Sequence, residues 1–111
     1  MEILFITGIG TDIGKTLAAS ILVEALNADY WKPIQAGIET GTDANQVELL
    51  ATPSTIIHPE VYRLNTPASP HIAARIDNIV ISIDTIVKSI PSTNKQYLII
   101  EGAGGMMVPI N

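Results

Sequence analysis

A glycine-rich stretch, GIGTDIGKT, occupies residues 8–16 of the 111-residue chain. It follows an apolar run at residues 2–7 that is typical of a buried strand. It precedes residues 15–27, whose many apolar side chains indicate a helix packed on a sheet. A strand, a glycine-rich turn and a helix in this order predict a phosphate-binding loop, because backbone N–H groups and the helix N-terminus point at the anion. Lys15 would reach the β- and γ-phosphates, and the Thr16 hydroxyl would bind Mg²⁺.

The spacing of this loop leaves two other interpretations. Five residues separate Gly8 from Gly14, where the usual motif has four, so one alternative is a glycine turn with a chance Gly-Lys-Thr. A dinucleotide-binding loop is another, since Gly8 and Gly10 fit its start and Asp29 lies near the end of the next strand. Ile13 stands in place of its third glycine, however, and the Lys-Thr pair has no role in it. The phosphate loop is the better match.

The remaining pattern alternates strands with helices. We expect strands at 29–33 and 97–101, and helices at 43–51 (capped by Thr42), from Pro70 (capped by Ser69) and at 83–90 (capped by Ser82). This alternation predicts an α/β fold, a P-loop NTPase-type parallel sheet flanked by helices. We expect one domain over residues 1–111, incomplete because motifs of this kind usually lie in a larger domain. Three strands would also leave at least one sheet edge unpaired and apolar surface uncovered.

Composition excludes several classes of function. The chain carries 6 Lys and Arg against 11 Asp and Glu, a net charge of -5, which argues against nucleic acid and anionic membrane surfaces as partners. It has no cysteine, which excludes disulfides, thiolate metal sites and a cysteine nucleophile. No apolar run approaches the roughly 20 residues that span a bilayer, and the acidic start is unlike a secretory signal. We expect a cytoplasmic protein.

Three features are predicted at the carboxyl edge of the sheet, where parallel α/β folds bind ligands: the loop at residues 8–16, Lys32 and Glu101. Lys32 could serve there, or its stem could cover an aromatic side chain while its head reaches water. Asp43 could bind a ligand, or could simply complement the dipole of its helix. Glu101 ends an apolar strand, where a carboxylate is costly unless it is paired or binds a metal, although it could also lie outside the sheet in water.

Three further stretches complete a pattern with the phosphate loop: YWKPIQAG at residues 30–37, TPASPH at 66–71 and EGAGG at 101–105. In this order and spacing the sequence resembles the dethiobiotin synthetase family over nearly its whole length. The members of that family are longer, so the chain is expected to correspond to their N-terminal portion.

The resemblance implies an ATP-dependent cyclo-ligase that forms C–N bonds. Its members carboxylate and close 7,8-diaminopelargonate (7,8-diaminononanoate) with CO₂, through a carbamate and a carbamic-phosphoric anhydride, to give dethiobiotin, ADP and phosphate. The implied cofactor is Mg²⁺, ATP is a co-substrate, the partners are small molecules, and the protein is a homodimer.

The resemblance also implies roles for individual residues. Lys15 and Lys32 would be catalytic, Thr16, Asp43 and Glu101 would hold the metal, and Lys32 and Ala36 would contact the substrate. The residues expected to bind the nucleotide and its metal are Thr11, Asp12, Ile13, Gly14, Lys15, Thr16, Leu17, Asp43, Glu101, Gly102, Ala103 and Gly104.

Two positions depart from the family pattern. Gly10 stands where some members carry Asp, and Ala36 stands where some carry a hydroxyl residue that contacts the diamine. Three other functions remain open: a P-loop ATPase switch of the partitioning or metal-chaperone type, an amide-forming ligase of cobalamin synthesis, and an inactive fragment. The switch proteins commonly have an additional lysine early in the loop, which residues 8–14 lack, and the amide-forming ligases need an amidotransferase region.

Overall fold

The computed structural model of the protein describes residues 1–7, 14–37, 42–67 and 70–102. No helix in these segments combines the length and apolarity needed to cross a membrane. The elements of this part of the chain are, in order, β1 (Glu2–Ile6), α1 (Gly14–Leu26), β2 (Asp29–Trp31), β3 (Ile34–Ala36), α2 (Asp43–Leu50), β4 (Ile57–His58), β5 (Tyr62–Leu64), α3 (Pro70–Asp77), α4 (Ile83–Lys88) and β6 (Tyr97–Glu101).

The main sheet is parallel and has the strand order β1-β6-β2-β4. Because β6 lies between β1 and β2, Ile6 is level with Glu101, and Trp31 is level with Ile100. Nearly all of β6 is buried, as expected for a central parallel strand covered on both faces. The carboxyl ends of β1, β2 and β6 therefore meet at one edge, and the predicted α/β fold with a parallel sheet is confirmed.

Pro33 separates the main sheet from a second sheet, in which β3 and β5 pair in parallel. Its carbonyl accepts backbone hydrogen bonds from Val61 at 2.8 Å and Tyr62 at 3.0 Å. The strand expected over residues 29–33 is present but ends at Trp31, and the expected total of three strands is wrong, because the described residues contain six. Apolar periodicity needs about four residues to reveal a strand, and β3, β4 and β5 have only two or three each.

One face of the main sheet is covered by α1 and α2. Together they enclose a core cluster that includes Ala19 and Val23 of α1, Val47 of α2, and Tyr30 and Ile99 of the sheet. Small residues on α1 let the helix approach the sheet closely, so that the aromatic ring of Tyr30 is fully buried between them. This packing fixes α1, and with it the phosphate-loop lysine and threonine, against the edge of β6.

The opposite face is covered only in part within the described residues. Trp31, Leu98 and Ile100 form a cluster there. Ile3 and Phe5 of β1 are level with Leu98 and Ile100 and so share their face, yet the Phe5 side chain is 60% exposed. The expected uncovered apolar surface is therefore present along β1.

The helix starts agree closely with the predicted caps. Thr42 Oγ1 accepts a hydrogen bond from the Asn45 N–H, and Ser82 Oγ accepts one from the Thr85 N–H, both at 3.2 Å. α3 begins with Pro70, while its predicted cap Ser69 lies outside the described residues. At the end of α1, Asn27 adopts a left-handed φ of 49°, a common way for a helix to terminate.

Asp29, at the start of β2, is a buried carboxylate held by two later segments. Its Oδ2 is hydrogen-bonded to Nε2 of His58 at 2.8 Å. Its Oδ1 faces the Lys95 ammonium at 3.2 Å, as an ion pair without hydrogen-bond alignment. Burial acts to raise the pKa of Asp29, but the bonds from His58 and Thr93 and the charge of Lys95 outweigh it and hold the pKa below its usual range. His58 thus ties β4 to β2.

Candidate functional site

Four polar side chains meet at the carboxyl edge of the main sheet. Thr16 lies in the first turn of α1, Lys32 directly follows β2, Asp43 is the first residue of α2, and Glu101 is the last residue of β6. Parallel strands place their carboxyl ends at the same edge, and the helices that follow begin there. The topology therefore assembles one site from four elements that are far apart in sequence.

Glu101 is at the centre of this cluster and is only 1% exposed. Its Oε2 accepts a hydrogen bond from the Thr16 hydroxyl at 3.1 Å and one from the Lys32 ammonium at 3.4 Å. Its Oε1 accepts a hydrogen bond from the Tyr30 hydroxyl at 2.8 Å. Both oxygens are thus occupied by named donors, and the alternative that Glu101 lies in water is wrong.

The Lys32 ammonium lies between two carboxylates. It forms an ion pair with Asp43 Oδ2 and a second, at 3.4 Å, with Glu101 Oε2. The Lys32 side chain is 6% exposed, so the alternative that its head reaches water is wrong. Asp43 lies in the first turn of α2, where it complements the helix dipole, and it also pairs with Lys32. That it binds a ligand stays a prediction.

Burial and neighbouring charges shift the pKa values of Glu101 and Asp43 in opposite directions. Burial raises the pKa of Glu101, and the negative charge of Asp43 adds to this, so that the attraction of Lys32 does not reverse it. Burial also acts to raise the pKa of Asp43, but the hydrogen bond and charge of Lys32 outweigh it and lower the pKa. Burial and the charge of Glu101 raise the pKa of Tyr30, so its hydroxyl stays protonated and donates.

The oxygen donors of the site fit Mg²⁺ bound together with a nucleotide. Thr16, Asp43 and Glu101 present hydroxyl and carboxylate oxygens, the ligands that Mg²⁺ prefers. Within the described segments no group of three or more His, Cys, Asp or Glu side chains could hold a metal. In nucleotide sites Mg²⁺ takes one or two protein carboxylates and fills its other positions with waters and phosphates.

Gln35 connects this cluster to the second sheet. Its Oε1 accepts a hydrogen bond from the backbone N–H of Asp43 at 3.1 Å. Its Nε2 donates to the carbonyls of Ala36 at 3.1 Å and Gly37 at 3.3 Å. The side chain is buried, so these bonds fix the first turn of α2 against the end of β3 and set the position of the Asp43 carboxylate.

The other predicted site residues lie around the same edge or outside the described residues. Gly14 and Lys15 begin α1, with Lys15 buried, whereas Leu17 is half exposed. The Gly102 N–H donates to the Ile6 carbonyl at 3.0 Å, which continues the β1-β6 ladder. Ala36 ends β3 beside Gln35. The predictions that fall outside the described residues concern Gly10, Thr11, Asp12, Ile13, Ala103 and Gly104.

Sequence reasoning missed two residues of the site, Tyr30 and Gln35. Tyr30 lies in the core, and its hydroxyl also reaches Glu101. The available signal was its spacing, because residues two apart on a strand share a face and Lys32 is two residues later. For Gln35 the signal was an uncharged polar side chain in the apolar stretch after Pro33, although its partner Asp43 could not be named in advance.

Comparison with known proteins finds close sequence similarity to one group of enzymes. Three similar proteins are called ATP-dependent dethiobiotin synthetase BioD. The one from Afipia carboxidovorans is 55% identical over 109 residues, covering 97% of this chain and 51% of the relative. The one from Cytophaga hutchinsonii is 53% identical over 112 residues, covering 100% and 53%. The one from Christiangramia forsetii is 51% identical over 108 residues, covering 96% and 51%.

The chain thus spans about half the length of the curated relatives it matches, and the matched half is their N-terminal part. The predicted resemblance to dethiobiotin synthetases is confirmed by these identities. A family model described as an AAA domain matches residues 2–111, nearly the whole sequence. The chain therefore belongs to the AAA domain family.

Proposed function

We propose that residues 1–111 form the phosphate- and metal-binding part of a P-loop α/β domain that acts as a dethiobiotin synthetase. The proposed reaction joins CO₂ to 7,8-diaminopelargonate and closes the ring at the expense of ATP. The observation that carries the proposal is the buried Glu101 carboxylate, which accepts hydrogen bonds from the phosphate-loop Thr16 and from Lys32. The identity to proteins named ATP-dependent dethiobiotin synthetase supports it.

The proposed reaction has three steps. An amine of the substrate adds to CO₂ and loses a proton, which gives a carbamate. A carbamate oxygen attacks the γ-phosphorus of ATP, so that the bond to ADP breaks and a carbamic-phosphoric anhydride forms. The second amine then attacks the carbonyl carbon and expels phosphate, which closes the cyclic urea. Because the second step brings two anions together, charge neutralisation and positioning are the main demands on the protein.

The residues of the site can meet those demands. Lys15, at the start of α1, would neutralise the phosphates of ATP. Lys32, already placed between Asp43 and Glu101, would supply a second positive charge beside the carbamate. Mg²⁺, when bound, would offset the charge of the phosphates, and Thr16, Asp43 and Glu101 would hold it. Water exclusion by the buried surroundings strengthens each of these interactions.

The remaining roles are proposed from the resemblance. Thr11, Asp12 and Ile13 with Gly14 and Leu17 would surround the phosphates of ATP. Ala36, with Lys32, would lie beside the diamine, and residues 102–104 would line the nucleotide and substrate site. The same resemblance is the basis for proposing a homodimer that works in the cytoplasm on small molecules.

A labelling experiment tests the function. The chain would be incubated with Mg·ATP, 7,8-diaminopelargonate and labelled bicarbonate, and acid-stable label would be counted and identified. We expect label in dethiobiotin for the wild type and for Lys88→Ala, a change on the exposed end of α4, and none for Lys15→Ala. Absence of label in the wild type would contradict the proposal for this chain. ATP hydrolysis without incorporation would favour the ATPase switch instead.

A further inference from the structure

Tyr30 lies in the middle of β2 with its ring in the core and its hydroxyl in the candidate site. The residue has no exposed surface. It is level with Ile99 in the β2-β6 ladder, so it shares the sheet face of Ile99 and Glu101. Its hydroxyl donates a 2.8 Å hydrogen bond to Oε1 of Glu101. A core residue thus reaches the carboxylate from the face of the sheet that α1 and α2 cover.

The donors around Glu101 are divided between its two oxygens. In the described part of the chain, Oε1 accepts its hydrogen bond from the Tyr30 hydroxyl. Thr16 and Lys32 both donate to Oε2. The last torsion of a glutamate side chain has no sharp rotamer preference. A carboxylate at the end of a strand therefore keeps one orientation only if hydrogen bonds hold it, and a bond to one oxygen directs the other.

The Tyr30 ring is itself held rigidly. It packs in one cluster with Ala19 and Val23 of α1, Val47 of α2 and Ile99 of β6. Two of the elements that carry site residues, α1 and α2, therefore fix the ring from above, and the sheet fixes it from below. With only two rotatable side-chain bonds and no free space, the hydroxyl can take few positions other than the one that meets Glu101.

We propose that Tyr30 is a positioning residue, which holds Oε1 of Glu101 so that Oε2 stays directed at Thr16 and Lys32, where the metal of a bound nucleotide would be. The inference rests on the proposed function, because it assumes that Glu101 helps to hold Mg²⁺. Hydrogen-bond partners behind a metal-binding carboxylate commonly orient it in this way. Tyr30 does not touch substrate or nucleotide in this proposal.

The test compares nucleotide binding with and without metal. Dissociation constants for ATP in EDTA and for Mg·ATP would be measured by isothermal titration calorimetry for the wild type and for Tyr30→Phe. The matched control is Tyr62→Phe, which also removes a tyrosine hydroxyl from a 3.0 Å hydrogen bond, here to the Ser82 N–H beside α4. Circular dichroism melting would establish that all three proteins are folded at the temperature of the titration.

The two dissociation constants of each protein give the gain in affinity that the metal provides. We expect Tyr30→Phe to lower this gain about tenfold, as changes behind a metal ligand do, with the affinity for metal-free ATP unchanged. Tyr62→Phe should lower the melting temperature but not the gain. An equal gain in Tyr30→Phe and wild type would overturn the positioning role alone. If the metal gave the wild type no gain in affinity for ATP, the metal site of the proposed function would be contradicted. The inference about Tyr30 would then be overturned with it.

Discussion

The hydroxyl of Thr16 donates a 3.1 Å hydrogen bond to Oε2 of Glu101, a residue 85 positions later in the sequence. Thr16 lies in the first turn of α1, and Glu101 ends β6, the strand beside β1. The bond joins the two elements at the carboxyl edge of the main sheet, where the proposed function places the metal of a bound nucleotide.

Removing the Thr16 hydroxyl should weaken metal-dependent nucleotide binding. Thr16→Val keeps the shape of the side chain but leaves Oε2 of Glu101 with one donor fewer. We expect a loss of about 1–3 kcal/mol in the free energy of unfolding and weaker binding of Mg·ATP. Thr16→Ser, which retains a hydroxyl, is the control and should bind Mg·ATP nearly as the wild type does. Equal affinities for Thr16→Val and wild type in calorimetry would exclude this hydroxyl as a metal ligand.

Lys32 should be essential for stability, since it separates two carboxylates in a buried site. In Lys32→Met, Asp43 and Glu101 would face each other without a counter-charge. We expect the free energy of unfolding at pH 7 to fall by about 3–5 kcal/mol and to recover in part when Mg²⁺ is added. Urea denaturation with and without Mg²⁺ measures both effects.

The control for that experiment is Lys88→Met, which removes an exposed lysine from the last turn of α4. Its effect should remain within about 0.5 kcal/mol, and it should not respond to Mg²⁺. A loss of similar size in both variants would mean that the buried ion pairs of Lys32 contribute nothing particular to the fold.

The position of the site, at the carboxyl edge of the sheet, could be predicted from the sequence because it follows from one rule of parallel sheets. Parallel strands bring their carboxyl ends together, so a phosphate loop, Lys32 and Glu101 could be expected at one place without knowledge of their contacts. The helix that carries Asp43 was predictable from its Thr42 cap, which needs only local sequence. Both predictions rest on simple rules, one for the ends of parallel strands and one for helix caps, and each rule needs only a few residues of sequence.

The register between strands could not be predicted in the same way. That Tyr30 is level with Ile99, and therefore reaches Glu101, depends on β6 entering the sheet between β1 and β2. No local pattern specifies this order. The short strands β3, β4 and β5 form because Pro33 and neighbouring backbone groups find partners in the folded chain. The Gln35 contact with Asp43 follows from that pairing and was hidden for the same reason.

Asp29 should make the stability of the protein fall in acid. Its pKa is lower in the folded chain than its usual value of about 3.9. The carboxylate therefore contributes stability that is complete above the unfolded-state pKa and is lost as the pH falls through the folded-state pKa. We expect the free energy of unfolding from urea titrations to decrease progressively below about pH 5.

Asp29→Asn separates this contribution from that of other acids. It should lower stability at pH 7 by about 1.5–3 kcal/mol, as expected for hydrogen bonds to a charged group, and should flatten the decrease in acid. Glu48→Gln, on the exposed part of α2, should retain the wild-type profile. An acid profile of Asp29→Asn with the same slope as the wild type would assign the decrease to other carboxyl groups.

Gly37 should tolerate no side chain, because two independent constraints act on it. Its φ is +79°, and a Cβ there would lie 2.9 Å from Cβ of Pro67, in the stretch that precedes α3. Gly37→Ala should therefore lower the free energy of unfolding by about 1–3 kcal/mol. Urea denaturation measures this loss. At Gly102 a Cβ would lie 3.0 Å from the Phe5 ring, and that ring is exposed and can move. We expect Gly102→Ala to cost less than Gly37→Ala, and the reverse order would show that the contact with Pro67 yields easily while the β1-β6 edge does not.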